Sequence, residues 1–255
     1  MKAVLAIAGL DSSGGAGLAQ DVATISGMGL HPKVAATAVT AQSLAAVHVV
    51  TPLPPELVQQ QIRAAFEDLV PSAVKIGMLG TQEIAAAAAK TLQRVGAQNI
   101  VVDPVLAATS GTLLLEEDAE EGLFSLFRLA TLITPNVPEA EKLLGHEIAS
   151  RNGMVAAAAE LQRRYGCAVL LKGGHLGLAD DCLAEEDGVS WISVPAVAGV
   201  SAHGTGCMLS SAIAAGLAAG RGTEDAVRQA KLVLACGLQS KTVLPEGAYL
   251  GLPRI

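Results

Sequence analysis

The chain has 255 residues, of which 51% are hydrophobic and only 2% aromatic, so alanine and aliphatic side chains must build its core. This length suffices for one large domain with a well-buried core, and a charged fraction of 16% is not typical of a disordered chain. The formal net charge of −7 argues against nucleic acid as a main partner, because phosphate backbones demand clustered lysine and arginine.

Strands and helices alternate along the whole chain. In chain order, apolar runs predict strands over residues 2–8, 33–41, 73–76, 99–102, 131–134 and 167–171. Helical periodicity or composition predicts helices over residues 18–28, 56–69, 81–95, 137–144, 152–165, 205 onward and 223–242, with a further helical segment after Glu116. Residues 180–194 have the turn chemistry of a hairpin, with Asp187-Gly188 at its tip.

Several side chains in these elements have specific expected places. Thr81 and Asn152 are expected to cap the helices that follow them, because their side-chain oxygens can accept from free backbone N–H groups. The helix after Pro55 is expected to point four apolar side chains inward: Leu57, Ile62, Phe66 and Leu69. Three of the four cysteines are expected to be small core residues: Cys167, Cys182 and Cys236.

The cysteine spacing and the first residues suggest a compartment. The cysteines form no C-x-x-C pair, which argues against a zinc site. The apolar run at the start is too short for a secretory signal, and no stretch approaches the ~20 apolar residues of a membrane span. We therefore expect a cytoplasmic protein without disulfides and without a membrane partner.

This order of elements predicts an α/β fold with a mostly parallel central sheet and helices on both faces. No internal repeat, linker or break in composition divides it, so residues 1–255 are expected to form a single domain. Ligands bind beyond the carboxyl ends of the strands in such sheets. Polar residues stand at or just past most predicted strand ends, which predicts one composite site at one edge: Asp11, Gln42, Lys75, Asp103, Asn136 and Lys172.

One stretch predicts an anion site by itself. Gly204 and Gly206 flank Thr205, Cys207 follows, and small and apolar residues then continue as a helix. Glycine allows close approach of the backbone, and the first helical turn leaves N–H groups free, so this start can hold a phosphate. The Cys207 thiol would lie in the positive field of the helix, where a thiol pKa falls. The alternative is an ordinary loop-to-helix turn with a buried cysteine.

The common phosphate-binding and hydrolase signatures are absent from this sequence. There is no G-x-x-x-x-G-K-[ST] and no G-x-S-x-G, and Gln20 stands where a dinucleotide fingerprint after Gly15-Ala16-Gly17 needs glycine. The remaining features suit phosphoryl transfer, which needs N–H donors and a cation for the phosphates and a residue that positions the acceptor oxygen.

Seven segments, taken in order, resemble the hydroxymethylpyrimidine/phosphomethylpyrimidine kinases of thiamine biosynthesis, which belong to the ribokinase-like superfamily. The resemblance extends from Val4 to about Ala235. It is carried by residues 11–17 with Asp21, Thr40-Ala41-Gln42, residues 74–79, Asp103-Pro104-Val105, Thr134-Pro135-Asn136 with Glu139, Lys172-Gly173-Gly174-His175 with Asp181, and His203-Gly204-Thr205-Gly206-Cys207.

The resemblance implies a ribokinase-like enzyme that uses ATP and Mg²⁺ to phosphorylate 4-amino-5-hydroxymethyl-2-methylpyrimidine and then its monophosphate. It also suggests a homodimer. It assigns Gly9, Asp21, Gln42 and Met78 to the pyrimidine, Asp103 and Glu139 to Mg²⁺, and Asn136, Lys172 and Thr205 to ATP. It further implies that the amides of Gly204, Thr205 and Gly206 hold the transferred phosphoryl group together with Lys172, and that Cys207 stands where the wider superfamily carries an aspartate base.

Each of these residues also has a structural explanation. Asp11 could cap a helix, Gln42 could bind backbone, Met78 could be core, and Asp103 and Glu139 could be solvated loop carboxylates. His175 and His203 are expected to make structural hydrogen bonds. The sequence departs from the family pattern at Ser43-Leu44, at Ala19-Gln20-Asp21, at residues 200–202 and in the tail, mostly on the pyrimidine side. Pyridoxal kinase activity, and a binding module without catalysis, therefore remain alternatives.

Overall fold

The computed structural model describes residues 1–105, 120–176, 180–194 and 202–251. Its strands are β1 Ala3–Leu10, β2 His31–Gln42, β3 Val47–Pro52, β4 Ala73–Ile76, β5 Ile100–Val102, β6 Leu132–Ile133, β7 Ala168–Leu171, β8 Asp181–Glu185, β9 Gly188–Ile192, β10 Thr242–Leu244 and β11 Gly247–Tyr249. The first nine form one sheet in the order β3-β2-β1-β4-β5-β6-β7-β8-β9, and β10 and β11 form a separate hairpin.

The central part of this sheet is parallel. The strands β2, β1, β4, β5, β6 and β7 all run in the same direction. At the edges, β3 pairs antiparallel with β2, and β8 and β9 add an antiparallel hairpin beside β7. The predicted mostly parallel sheet and the predicted hairpin with its tip at Asp187-Gly188 are therefore confirmed.

Helices cover both faces of the sheet, as the sequence predicts. They are α1 Gly17–Gly27, α2 Pro55–Ala65, α3 Gln82–Arg94, α4 Glu120–Phe127, α5 Val137–Leu144, α6 Arg151–Tyr165, α7 Thr205–Ala218 and α8 Thr223–Gln239. One apolar core joins the sheet to α2, α3, α4, α5 and α6, and the other joins it to α1, α7 and α8. The strand β1 contributes Leu5 and Ile7 to the first core and Val4 and Ala6 to the second, which explains its continuous apolar sequence.

Helix caps confirm one expectation and correct another. The Thr81 side chain accepts from the backbone N–H of Ile84 and caps α3. The predicted cap at Asn152 is wrong, because α6 begins at Arg151 and the Ser150 hydroxyl accepts from the backbone N–H of Gly153. Serine and asparagine are about equal as caps, so the sequence could not choose between two candidates this close together.

The structure also corrects the expected inner face of α2. Ile62 is fully buried, but Leu57 and Leu69 are 41% and 36% exposed, and Val58 is buried instead. The helix ends at Ala65, so the helical spacing that would bring Leu69 inward does not continue. Of the three cysteines expected in the core, Cys167 and Cys182 are buried, whereas Cys236 is exposed.

Two further elements differ from the expectation. The edge strand β3 was not predicted, because its residues are exposed or only half-buried and no core-facing residue marks it in the sequence. The last helix ends at Gln239 and the chain then forms the hairpin of β10 and β11, where continued helix was expected. Of the segment after Glu116, residues 116–119 lie outside the described residues, and the described remainder is helical.

A single tryptophan marks the hairpin of β8 and β9. Trp191 lies opposite Cys182 in the strand register, and the Arg151 guanidinium stacks over its ring at 3.9 Å from the centroid.

Within the described ranges, no helix combines the length and the apolar character that crossing a membrane requires.

Candidate functional site

The carboxyl ends of the parallel strands bring the predicted polar residues to one edge of the sheet. Asp11 follows β1, Gln42 ends β2, Asp103 follows β5 and Lys172 follows β7. Lys172 also makes an isolated parallel bridge with Asn136, which follows β6. The expectation that strand-end residues gather at one edge is therefore confirmed for these five residues, whereas Lys75 lies within β4 and is fully buried. The contacts between the five divide the site into two parts.

The first part is the start of α7. Gly204 is its N-cap residue and has a left-handed backbone with φ of 84°. A Cβ atom at Gly204 would collide with the carbonyl oxygen of Gly15, so only glycine allows the two loops to touch. The free N–H groups of the first turn and the helix dipole make this end a place for an anion, as the sequence predicts.

Asp103 and Lys172 face this helix start. A Cβ atom at Gly206 would lie 3.1 Å from Asp103 Oδ2 and 3.7 Å from Lys172 Nζ. Lys172 Nζ donates to Asp103 Oδ1 at 2.9 Å, and the Thr134 hydroxyl donates to the same oxygen at 3.1 Å. The ammonium group and the helix start therefore converge on one small volume, which is the arrangement that a phosphoryl group requires.

Lys172 carries its positive charge at neutral pH. Its burial would lower the pKa, but the nearby carboxylates of Asp103 and Glu139 outweigh burial and raise the pKa above its ordinary value. The side chain is still 17% exposed, so a ligand can reach it. Lys172 is therefore a permanently charged and accessible cation at the end of β7.

Glu139 is placed by the cap of α5. The Asn136 side chain accepts from the Glu139 backbone N–H, and Glu139 Oε2 accepts from the Asn136 backbone N–H at 2.7 Å. Burial raises the Glu139 pKa to about 7, since the opposing effect of Lys172 is smaller and the Asp103 charge adds to the rise. Two carboxyl groups thus share one lysine.

The carboxyl groups of Asp103 and Glu139 are also the candidate ligands of Mg²⁺. Across the part of the chain that the structure describes, no group of three or more His, Cys, Asp or Glu side chains is arranged to hold a metal ion. Magnesium in kinases is usually held by one or two carboxylates together with phosphate oxygens and water. Asp103 and Glu139 fit that pattern, so the residues suit a cation that arrives with a phosphate chain.

Cys207 departs from the expected thiol chemistry. Burial raises its pKa to about 11, although Lys75 acts in the opposite direction, and the charges of Asp21 and Asp103 add to the rise. The expectation of a lowered pKa considered only the helix dipole and is therefore not supported. Burial and neighbouring carboxylates, which are not visible in the local sequence, outweigh that dipole.

A sealed network lies beneath the start of α7. Asp21 Oδ2 accepts from Lys75 Nζ at 2.8 Å, and Asp21 Oδ1 accepts from the Ser211 hydroxyl at 2.7 Å. Both side chains of the Asp21–Lys75 pair are 0% exposed. Both Asp21 oxygens thus already accept hydrogen bonds within the protein. The structure therefore does not support the expected contact of Asp21 with a pyrimidine. Ser211 is one helical turn from Cys207, which ties the network to α7.

The second part of the site surrounds Gln42. His203 Nε2 lies 2.9 Å from Asp11 Oδ2 and 3.1 Å from Gln42 Nε2. An ionised carboxylate only accepts, so His203 donates to Asp11. Burial would raise the Asp11 pKa, but the hydrogen bonds from His203 and Ser13 outweigh it and lower that pKa. The structural role expected of His203 is confirmed, whereas the side chain of His175 lies outside the described residues.

Asp11 also shapes the loop before α1. Its carboxylate accepts from the backbone N–H groups of Ser13 and Ala16, so it holds the loop and is not the N-cap of α1, which is Ala16. Gly9 and Met78 lie beside this loop, since a Cβ atom at Gly9 would be 3.2 Å from Met78 Sδ. Gly9, Gln42 and Met78 thus belong to strands β1, β2 and the turn after β4, which are neighbours in the sheet.

Sequence reasoning missed Tyr249 and Lys231. The Tyr249 ring lies against Gly15, where a Cβ atom would be 2.6 Å from it, and its backbone pairs with His203. Lys231 pairs with Asp181 beside the Lys172 turn. Both lie beyond His203–Cys207, the last segment in which the sequence pointed to the site.

Comparison with known proteins shows to which family the chain is similar. The family model described as phosphomethylpyrimidine kinase matches residues 11–249. A hydroxymethylpyrimidine/phosphomethylpyrimidine kinase of Rhizobium meliloti is 42% identical over 251 residues, which are 97% of this chain and 94% of that protein.

Two solved structures share the fold. A crystal structure of phosphomethylpyrimidine kinase from Clostridium difficile has a TM-score of 0.82 and 38% identity, and the match covers 92% of this chain and 98% of that one. An ADP complex of Bacillus subtilis pyridoxal kinase has a TM-score of 0.91 and 29% identity, covering 99% and 97%. Together with the family match, these similarities show that the chain is a kinase and belongs to the phosphomethylpyrimidine kinase family.

Proposed function

We propose that the chain uses ATP to phosphorylate 4-amino-5-hydroxymethyl-2-methylpyrimidine and then phosphorylates that monophosphate to the diphosphate, as in thiamine biosynthesis. The observation that carries this proposal is the convergence of Lys172, Asp103 and the start of α7 on one volume. Such a volume can hold the phosphoryl group while it passes between two oxygens. The relative of Rhizobium meliloti, which bears the name of both activities, supports the choice of substrate.

One end of the proposed site binds ATP and Mg²⁺, and the other end binds the pyrimidine. Asn136 and Lys172 contact the ATP phosphates, and the amides of Gly204, Thr205 and Gly206 donate to the oxygens of the transferred group. Asp103 and Glu139 hold Mg²⁺, which offsets the negative charge of the phosphates when it is bound. Gly9, Gln42 and Met78 contact the pyrimidine, and the Gln42 amide can both donate to it and accept from it. The Lys172–Asp103 contact beside Gly206 supports the phosphate end of this division, and the proximity of Gly9 to Met78 supports the pyrimidine end.

The two phosphorylations differ in their need for a base. An alcohol must lose its proton as it attacks, and Cys207 at the start of α7 is the residue that we assign to accept this proton. A phosphate acceptor is already ionised and requires no such residue. Because burial raises the Cys207 pKa to about 11, only a small fraction of the thiol is ionised near neutral pH, and the buried Lys75 ammonium is the group that opposes burial and stabilises this thiolate fraction.

An acceptor panel tests this proposal. Purified protein with ATP and Mg²⁺ should release ADP with the hydroxymethylpyrimidine and with its monophosphate, measured in a coupled assay. Absence of ADP release with both acceptors, at any Mg²⁺ concentration, would contradict it. Tight ATP binding by calorimetry without turnover of any acceptor would instead indicate a binding module.

Pyridoxal kinase activity is the second candidate function. The observation that favours it is the TM-score of 0.91 with the pyridoxal kinase of Bacillus subtilis. Both acceptors are flat heteroaromatic rings with a hydroxymethyl arm, so the same pocket can present either alcohol. The ratio of kcat/KM for the two alcohols decides between them, and we expect it to favour the pyrimidine.

We further propose that a second copy of the chain covers the open end of β1, β2 and β3. Leu10 and Val39 are register partners, Val49 pairs with Ala41, and alternation places all of them on one face. The apolar members of this group are exposed, which is unusual for side chains that sit together on a sheet. Light scattering should therefore give a dimer, and Val39→Asp with Val49→Asp should give a monomer. A monomeric parent protein would contradict the dimer.

The compartment and the domain extent are also proposals. All four cysteines are free thiols, which is typical of a reducing compartment such as the cytoplasm. The family match over residues 11–249 supports one kinase domain that spans the chain. Cell fractionation and limited proteolysis test these two statements, with recovery outside the cytoplasm or two stable fragments as the contrary results.

A further inference from the structure

The turn that carries Lys172 is anchored on both sides of its lysine. On one side, the Lys172 backbone N–H donates to the Pro135 carbonyl at 2.9 Å. On the other side, the buried Gly173 N–H donates to Asp181 Oδ1 at 3.0 Å. Asp181 begins β8, the antiparallel strand beside β7, so a side chain from the next strand fixes the backbone next to the lysine.

The Asp181 carboxylate is itself held by a charge from the other layer. Lys231 of α8 donates to Asp181 Oδ2 at 2.7 Å, so the two oxygens of Asp181 serve different groups. The two side chains are only 4% and 10% exposed. A buried ion pair of this kind contributes little net stability compared with apolar side chains of similar volume, so its presence calls for another reason.

We propose that Asp181 is a positioning residue for phosphoryl transfer, which fixes the Lys172 ammonium through the Gly173 amide, and that Lys231 holds the Asp181 carboxylate in place. This inference rests on the proposed contact of Lys172 with the ATP phosphates. Lys172 reaches Asp103 and the start of α7 from a two-residue turn, so rotation of the Gly173 peptide moves the ammonium away from both. Neither Asp181 nor Lys231 is in contact with ATP in this proposal.

Two matched double variants isolate the Gly173 anchor. Asp181→Asn with Lys231→Met removes both charges but keeps an oxygen that accepts from Gly173, whereas Asp181→Leu with Lys231→Met removes the acceptor as well. Each variant leaves buried donors without a partner, the NH2 group of the new asparagine in one and the Gly173 N–H in the other, so both should be destabilised and their melting temperatures are measured alongside the KM values. We expect the leucine variant to have a KM for ATP about 5- to 10-fold higher than the asparagine variant, the amount that one hydrogen bond supplies, with the pyrimidine KM unchanged.

The alternative is that Asp181 serves only as the partner of Lys231. In that case the two double variants have equal KM values for ATP, and the proposal is overturned. Lys172→Met separates this failure from failure of the proposed function. If Lys172→Met leaves the KM for ATP and kcat unchanged, the assignment of Lys172 itself is wrong. If it impairs the enzyme while the double variants match each other, only the role of Asp181 is wrong.

A measurement on the parent protein covers the case in which a double variant does not fold. Hydrogen exchange at the Gly173 amide should be slow, because that N–H is buried and bonded to a carboxylate. Exchange at the rate of an unstructured peptide would overturn the anchor. Slow exchange supports the anchor. Calorimetry with ATP on the double variant that folds should then show stronger ATP binding if that variant is the asparagine one, which keeps the Gly173 acceptor, and weaker binding if it is the leucine one.

Discussion

Two lysines at the carboxyl ends of strands show how differently one residue type is used at this site. Lys172 and Lys75 are each paired with an aspartate, and each has its pKa raised by nearby carboxylates against the effect of burial. Lys172 is 17% exposed beside the start of α7, whereas Lys75 is 0% exposed beneath it. The first is placed to meet a ligand, and the second holds the structure that presents the first.

The largest expected effect is the loss of stability on substitution of the fully buried Lys75. Lys75→Met leaves Asp21 buried without its cation, so we expect a loss of about 3–5 kcal/mol in the free energy of unfolding, measured by urea denaturation. The double variant Asp21→Asn with Lys75→Met removes both charges and should recover most of this loss. A single variant as stable as the parent protein would mean that Asp21 is neutral when paired.

Substitution of the partly exposed Lys172 should lower activity more than stability. Lys172→Met removes a cation that faces the phosphates, so we expect kcat/KM to fall about 10²- to 10³-fold in both phosphorylations. The melting temperature should change much less than in Lys75→Met, because Lys172 is partly solvated. If the two methionine variants lose activity and stability in the same proportion, the contrast between the lysines is incorrect.

In the proposed mechanism, only phosphorylation of the alcohol depends on Cys207. Cys207→Ala should slow phosphorylation of the alcohol about 10²-fold, because a base is lost, and should slow phosphorylation of the monophosphate much less. Single-turnover rates with each acceptor measure this difference. Cys207→Ser is the matched control for packing. Equal losses in both reactions would assign Cys207 to packing or to the anion site.

The smallest expected effect concerns the glycine that faces Lys172. In Gly206→Ala the new Cβ lies 3.1 Å from Asp103 Oδ2, so Asp103 must move by a few tenths of an ångström. We expect kcat to fall about tenfold, since misplacement by 1 Å can cost about 10²-fold. Gly204→Ala is the comparison, and it should lose far more activity because its Cβ meets the Gly15 backbone. A smaller loss in Gly204→Ala would contradict this ranking.

The sequence predicted what local chemistry and sheet topology determine. Helix α5 was predicted residue for residue, because Asn136, Pro138 and Glu139 form a strong start signal and Gly145 ends it. The gathering of Asp11, Asp103 and Lys172 followed from the rule that parallel strands end at one edge. The family resemblance supplied the substrate and the roles, which spacing and periodicity could not.

Contacts between distant segments were outside the reach of the sequence. Asp11 and His203 are 192 residues apart, and Asp21 and Lys75 are 54 apart, so neither pair leaves a pattern in the chain. The Cys207 pKa was predicted in the wrong direction for the same reason, since the carboxylates that raise it come from α1 and β5. The edge strand β3 was missed because none of its residues is buried, so no core-facing pattern marks it in the sequence.

The single tryptophan gives the protein an optical reporter at a useful place. Trp191 lies opposite Cys182, the neighbour of Asp181, so its emission reports on the hairpin that anchors the Lys172 turn. The stacked Arg151 guanidinium makes that emission sensitive also to small displacements of β9 against α6. Fluorescence titration with ATP can therefore follow movement of this hairpin directly, without any label.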